Sequence, residues 1–252
     1  MAGRSVCAWG GQVGDLLIDL GNSQAKLGWL AGETMRILGT AASGEELAGL
    51  VSQPPSRIWL CSVVENERKE AFLADAGLSG ANVNEITVAG YLRHQPSHYA
   101  PDQLGVDRWL GVLACRERGL SPAVVVDTGT ATTVDLLDAG GMHLGGYILP
   151  GLEAMHQALS VSTALPVRSD GPCGEPAVPA TTAEAIACGA LYAQVGAIER
   201  AFARLGSGCH LVLSGGAAHR LMPHLSHEVV RIEQLVLEGL AVLARKEGAC
   251  VG

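Results

Sequence analysis

Two short segments of this 252-residue chain carry the same set of chemical groups. In Leu17-Ile18-Asp19-Leu20-Gly21-Asn22-Ser23 an apolar strand ends in an acid, a glycine follows two residues on, and small polar residues come next. Val125-Val126-Asp127-Thr128-Gly129-Thr130-Ala131 repeats the pattern 108 residues later. A glycine turn with Asn, Ser or Thr offers backbone N–H groups and hydroxyls that can wrap phosphate oxygens. The strand-end carboxylate suits Mg²⁺ or its water, because hard cations choose oxygen ligands. Lys26, seven residues after Asp19, can add a positive charge. One copy alone would read as an ordinary hairpin; two copies, each closing an apolar strand, favour a nucleotide site. Neither a P-loop nor a strand-linked G-x-G-x-x-G is present, so those two nucleotide folds are excluded.

A second constellation lies at Tyr99 to Arg108. Gly105 permits close approach to the backbone, and Val106, Asp107 and Arg108 then open a helix. Asp107 can serve as a general base or simply as an acid favoured by the helix dipole; the residues alone leave both open. Gly145 to Gly151 reads as a strand with glycine bends, and Thr181 to Glu184 as a helix N-cap with a capping-box acid. Ser214-Gly215-Gly216, after a strand, suits a purine lying against backbone. The eight histidines form no metal-ligand set and are read as surface or core residues. The seven cysteines are read as packing thiols.

Composition narrows the function classes. Seventeen Lys and Arg against 25 Asp and Glu give a net charge of −8, which repels phosphodiester backbones, and no basic patch offsets it. No apolar run approaches the roughly 18–20 residues that span a bilayer, and the N-terminus has no apolar signal-peptide core. Cysteines in odd number, without C-x-x-C spacing, imply free thiols in a reducing compartment. A cytoplasmic protein with no nucleic-acid or membrane partner is the expectation.

The elements that must position these groups follow from periodicity. Residues 1–14 read as a flexible lead-in. Strands are expected near 16–20, 24–30, 58–63, 85–88, 123–127 and 211–214. Helices are expected near 44–51, 65–76, 104–118, 182–204 and 235–246, with a Gly/Pro-rich loop at 169–176. The repeat spacing, close to half the chain, implies two related α/β lobes divided at 118/119.

Taken in order, the segments resemble the type III pantothenate kinases of the acetate kinase/sugar kinase/Hsp70/actin superfamily. The resemblance runs through Asp19 to Lys26, Tyr99-x-Pro101, Gly105 to Arg108, Asp127 to Asp135, Gly145 to Gly151, Thr163 to Pro166, Thr182 to Gly189 and Ser214 to Gly216. It implies two ribonuclease H-like lobes (the actin-like ATPase fold) with an ATP cleft between them. It also implies ATP-dependent phosphorylation of the primary hydroxyl of pantothenate, the first step of coenzyme A biosynthesis. Under it, Asp19, Gly21, Asn22, Ser23, Lys26, Gly129, Thr130 and Gly215 bind ATP. Tyr99, Gly105, Val106, Asp107, Arg108 and Thr182 line the pantothenate site, with Asp107 as general base. Asp127 holds a monovalent cation, K⁺ or NH₄⁺, beside the Mg²⁺ that accompanies ATP. A homodimer is expected, with the Ala-rich helix 182–204 buried at its two-fold. Ser23 stands where the family often has Thr, which keeps the hydroxyl. Another small-molecule kinase of the superfamily, or a non-enzymatic accessory protein, is the alternative.

Overall fold

The computed structural model describes residues 13–162 and 178–248, which divide into two compact units: 13–87 with 236–248, and 88–235. The Thr163–Pro166 segment and the 169–176 loop fall outside the described residues.

The first unit holds a five-stranded sheet of β1 (Asp15–Leu20), β2 (Ala25–Ala31), β3 (Thr34–Ala41), β4 (Ile58–Ser62) and β5 (Val83–Glu85). Its order is β3-β2-β1-β4-β5; β2 is antiparallel to β1 and β3, and β4 runs parallel to β1 and β5. Leu16, Leu17 and Ile18 are fully buried, as a central strand covered on both faces requires. Helices α1 (Gly44–Leu50) and α2 (Asn66–Asp75) pack together beside β3.

The second unit repeats the arrangement. Strands β6 (Ala123–Thr128), β7 (Ala131–Leu137), β8 (His143–Pro150), β9 (His210–Ser214) and β10 (Val229–Arg231) stand in the order β8-β7-β6-β9-β10, with the same strand senses. Each sheet thus has the ribonuclease H-like order. Residues of β6 alternate between two cores: Val124 and Val126 join Leu191 and Ile198, whereas Ala123 and Val125 join Val112 and Cys115. The period-2 geometry of a strand sends neighbours to opposite faces. One face is therefore covered by α6 (Thr182–Leu205) and the other by α4 (Val106–Glu117).

That packing places α4 with the second sheet, so the units divide at 87/88 rather than at the expected 118/119. The final helix, α8 (Leu235–Gly248), lies almost wholly in the first unit. Sequence order misleads here because helices join a core through their apolar stripe, whichever strand they follow. The expected strand at 85–88 is also shifted: β5 ends at Glu85, and Val88 opens the one-turn helix α3 (Val88–Tyr91). A further helix, α5 (Leu152–Ser162), follows β8, and the short α7 (Ala218–Leu221) follows β9.

Candidate active site

The two repeated segments form matching hairpins. β1 and β6 are both six residues long and start 108 positions apart. In the first hairpin Leu20 pairs with Ala25, and the tip closes by Gly21 N–H donating to Gln24 O at 3.2 Å. In the second, Thr128 pairs with Thr132, and Gly129 N–H donates to Ala131 O at 2.9 Å. Asn22, Ser23, Gly129 and Thr130 are exposed at the tips, with Gly21 half-buried. Asp19 sits opposite Lys26 in the ladder, with Nζ and Oδ2 3.6 Å apart. Arg68, part of a charge-neutral run in the sequence, donates to the Asn22 carbonyl at 2.8 Å and braces that tip.

Gly215 explains itself at the second hairpin. It has φ +89°, and a Cβ there would lie 2.5 Å from both Asp127 Oδ1 and the Thr128 carbonyl oxygen. Only glycine allows this conformation and approach together. Asp127 Oδ1 is buried without a hydrogen-bond partner. A desolvated, unsatisfied carboxylate oxygen is unfavourable unless a cation or donor completes it. Its chemistry fits a hard monovalent cation. Among the described residues no group of three or more His, Cys, Asp and Glu side chains could cage a metal.

The second constellation assembles within the second unit. Gly105 is the N-cap of α4, and a Cβ on it would lie 2.6 Å from Asp107 Oδ1, so glycine gives the carboxylate its space. Asp107 Oδ1 accepts the Arg108 N–H at 2.8 Å. Burial pushes the Asp107 carboxyl above the ordinary Asp range; the Arg108 N–H opposes this, the Asp127 and Asp135 charges add to it, and the Arg108 charge opposes it. Val106 is half-buried in the same first turn.

Arg108 is buried, and Asp135 of β7 takes one whole edge of its guanidinium. Nη2 donates to Oδ1 at 2.6 Å and Nε to Oδ2 at 3.1 Å. Burial alone would lower the Arg108 pKa, but the hydrogen bonds and charge of Asp135 outweigh it and raise it, so the side chain stays cationic. Its Cζ lies 5.2 Å from the Tyr99 ring centroid, a cation–π distance. Two neighbouring glycines make way for these groups. A Cβ on Gly146 would meet the Val134 carbonyl oxygen, Asp135 Oδ1 at 2.7 Å and Arg108 Nη2 at 2.9 Å. Gly145, at φ +126°, faces the Tyr99 ring. The glycine bends of β8 are therefore clearances for Tyr99, Arg108 and Asp135.

Thr182 stands apart, exposed at the first position of α6 behind a complete Thr181/Glu184 capping box. Among the described residues it makes no hydrogen bond to Tyr99, Asp107 or Arg108. Residue spacing assigns no role to Asp135, His143 or Gln194. An acid inside the apolar run of β7 signals a buried carboxylate that must be paired, but its partner is 27 residues away. Gln194, fully buried on α6, accepts from Thr132 and donates to the Pro150 carbonyl, bracing the second hairpin.

The family model described as type III pantothenate kinase matches residues 15–204. The type III pantothenate kinase of Aromatoleum aromaticum is 37% identical over 242 residues, covering 93% of this chain and 99% of that protein. That of Laribacter hongkongensis is 36% identical, covering 91% and 98%. Among solved structures, a conserved protein of the Baf family of transcriptional activators from Campylobacter jejuni superposes with TM-score 0.65 at 22% identity, covering 93% of this chain and 99% of that one. The activator of the 2-hydroxyisocaproyl-CoA dehydratase from Clostridium difficile, with bound ADPNP, gives TM-score 0.51 at 13% identity, covering 95% and 97%. These two likenesses concern the fold, which is that of the actin-like ATPases. With the family model and the curated relatives spanning both hairpins and the Asp107 helix, the chain belongs to the type III pantothenate kinase family.

Proposed function

We propose that Asp107 is the general base of a phosphoryl transfer from ATP to the primary hydroxyl of pantothenate, the reaction of this enzyme family in coenzyme A biosynthesis. The observation that carries the assignment is a carboxylate raised above its ordinary range beside a buried arginine. A base works best when its pKa lies nearer the working pH. An alcohol is a poor nucleophile; Asp107 would take its proton as the new O–P bond forms. Arg108 keeps its Nη1 donors for the substrate's carboxylate or amide oxygens, because Asp135 occupies the Nε edge. Tyr99, Gly105 and Val106 would complete the pocket.

ATP with Mg²⁺ supplies the phosphoryl group and offsets its charge. The exposed tips at Gly21 to Ser23 and Gly129 to Thr130, with Asp19 and Lys26, would hold the phosphates, and Gly215 would lie against the nucleotide. Asp127 would hold K⁺ or NH₄⁺ through its unpartnered oxygen. Accordingly, Asp127→Ala is expected to abolish activation by K⁺ or NH₄⁺. Initial rates across a titration of each salt check this; a wild-type rate indifferent to both contradicts it.

The working unit we infer is a homodimer built on the exposed face of α6. Ile186, Ala187, Ala190, Leu191 and Val195 are already buried within the single chain, and the last three belong to its core. The exposed face carries Ala185, Gly189, Tyr192, Ala193 and Gly196 at helical spacing. A Cβ on Gly189 or Gly196 would meet nothing, so a second helix could approach closely. A two-fold would present the same stripe twice and bring each exposed Thr182 towards its partner. Ala193→Glu is expected to yield monomers that lose pantothenate turnover, read by sedimentation and assay of the same sample. A fully active wild-type monomer of 26.0 kDa would overturn the dimer. No helix among the described residues is long and apolar enough to cross a membrane.

A further inference from the structure

The mechanism leaves unused a buried histidine that touches both substrate-side residues through short links. His143, at the start of β8, is fully buried, and its Nε2 lies 2.8 Å from Asp135 Oδ1. Its Nδ1 lies 2.9 Å from Ser97 Oγ. Ser97 Oγ accepts the Tyr99 N–H at 3.1 Å and so has its own proton to give to Nδ1. In that arrangement the ring presents Nε2–H to Asp135. The His143 ring also stacks on Tyr99, with centroids 5.5 Å apart and planes at 20°. Backbone bonds lock the two segments together: His143 N–H donates to Pro96 O, and His98 N–H to His143 O.

A buried cluster of this kind is weak evidence for stability, because desolvation of the charges offsets their attraction. What it provides here is placement. Asp135 fixes the rotation of the Arg108 guanidinium, and His143 fixes Asp135. The same imidazole, through Ser97 and its own face, fixes the Tyr99 backbone and ring. We propose that His143 is a positioning residue for pantothenate binding, holding Arg108 through Asp135 and Tyr99 through Ser97 and the ring stack. This rests on Tyr99 and Arg108 belonging to the pantothenate site.

The test is steady-state kinetics on the full chain, varying pantothenate and ATP separately, with thermal melting recorded for each variant. His143→Leu is expected to raise the pantothenate KM by about ten- to a hundredfold, the effect of removing one hydrogen-bond partner each from a buried carboxylate oxygen and a hydroxyl. The ATP KM should stay within about twofold, since the nucleotide hairpins are untouched. His143→Gln, which can still donate an N–H towards Asp135, should recover a large part of the loss. If His143→Leu does not fold, Ser97→Ala decides, with an expected pantothenate KM rise of about three- to tenfold from one lost hydrogen bond. A folded His143→Leu or Ser97→Ala variant that melts lower but keeps the wild-type pantothenate KM overturns the proposal. An Arg108→Met control separates the two claims. If it too leaves the pantothenate KM unchanged, the substrate-site assignment has failed; if it alone raises KM, only the role of His143 has failed.

Discussion

Asp107→Asn is expected to lower turnover by about 10²–10⁴-fold, the usual worth of a positioned general base, while ATP still binds. The substitution keeps the oxygen that accepts the Arg108 N–H and removes only the capacity to take a proton. It should not lower stability. The folded protein holds this carboxyl above its unfolded pKa, so at neutral pH the charge is a net burden on the fold. A neutral amide relieves the repulsion from Asp127 and Asp135 and should melt at or above the wild-type temperature. The pH dependence has a definite sign. As pH falls through the raised Asp107 pKa, the base becomes protonated and kcat/KM drops; this limb should lie above the ordinary carboxylate value of about 3.9. In the Asn variant the limb should vanish. Turnover within a fewfold of wild type would move the base to another acid.

The second large effect is on folding. Asp135→Ala strands the buried Arg108 guanidinium without its bidentate partner and leaves His143 Nε2 unpaired. Removing one member of a buried ion pair typically destabilises by about 3–5 kcal/mol, a large fraction of a domain's total stability. Denaturant unfolding of Asp135→Ala should show a loss in that range. Asp135→Asn, which keeps the shape and one acceptor, should lose less. A loss under about 1 kcal/mol for Asp135→Ala would mean that Arg108 finds water or another acceptor, and that the ion pair does not fix it.

The repeated Asp-x-Gly segments were legible from sequence because their signals are local. Three consecutive apolar residues before the acid mark a central strand, and the glycine marks its turn, so both hairpins and both sheet centres follow. Edge strands carry less signal. β3 is largely exposed and β10 has three residues, so neither shows the alternation that identifies a half-buried strand. α5 gives no separate start signal, because its apolar positions begin directly after the glycine bends of β8. Composition marks the Ala-rich α6 as a helix but does not say which face the core takes. Its larger residues Leu191, Val195 and Ile198 fill the sheet surface and leave the glycines outside.

Around Asp107, Arg108 and Asp127, residue types and spacing mark the charged groups but not the groups that orient them. Gly105, Gly146 and Gly215 each stand where a Cβ would strike a carboxylate oxygen, a fact visible only once the strands and α4 are assembled. Asp135 and His143 lie eight residues apart across the β7–β8 connection, and Ser97 is 46 residues before His143. No spacing rule joins three such positions.

Phosphoryl transfer from ATP to pantothenate with Asp107 as the base is the reaction these residues would perform. Its most direct test measures ADP release and product mass together, offering pantothenate, a panel of sugars, or acetate, with and without K⁺, for wild type and Asp107→Asn. The expected result is one ADP per phosphopantothenate formed, with pantothenate the sole acceptor and Asp107→Asn nearly silent. ADP released equally without pantothenate, or phosphate appearing on a sugar or acetate instead, would contradict it.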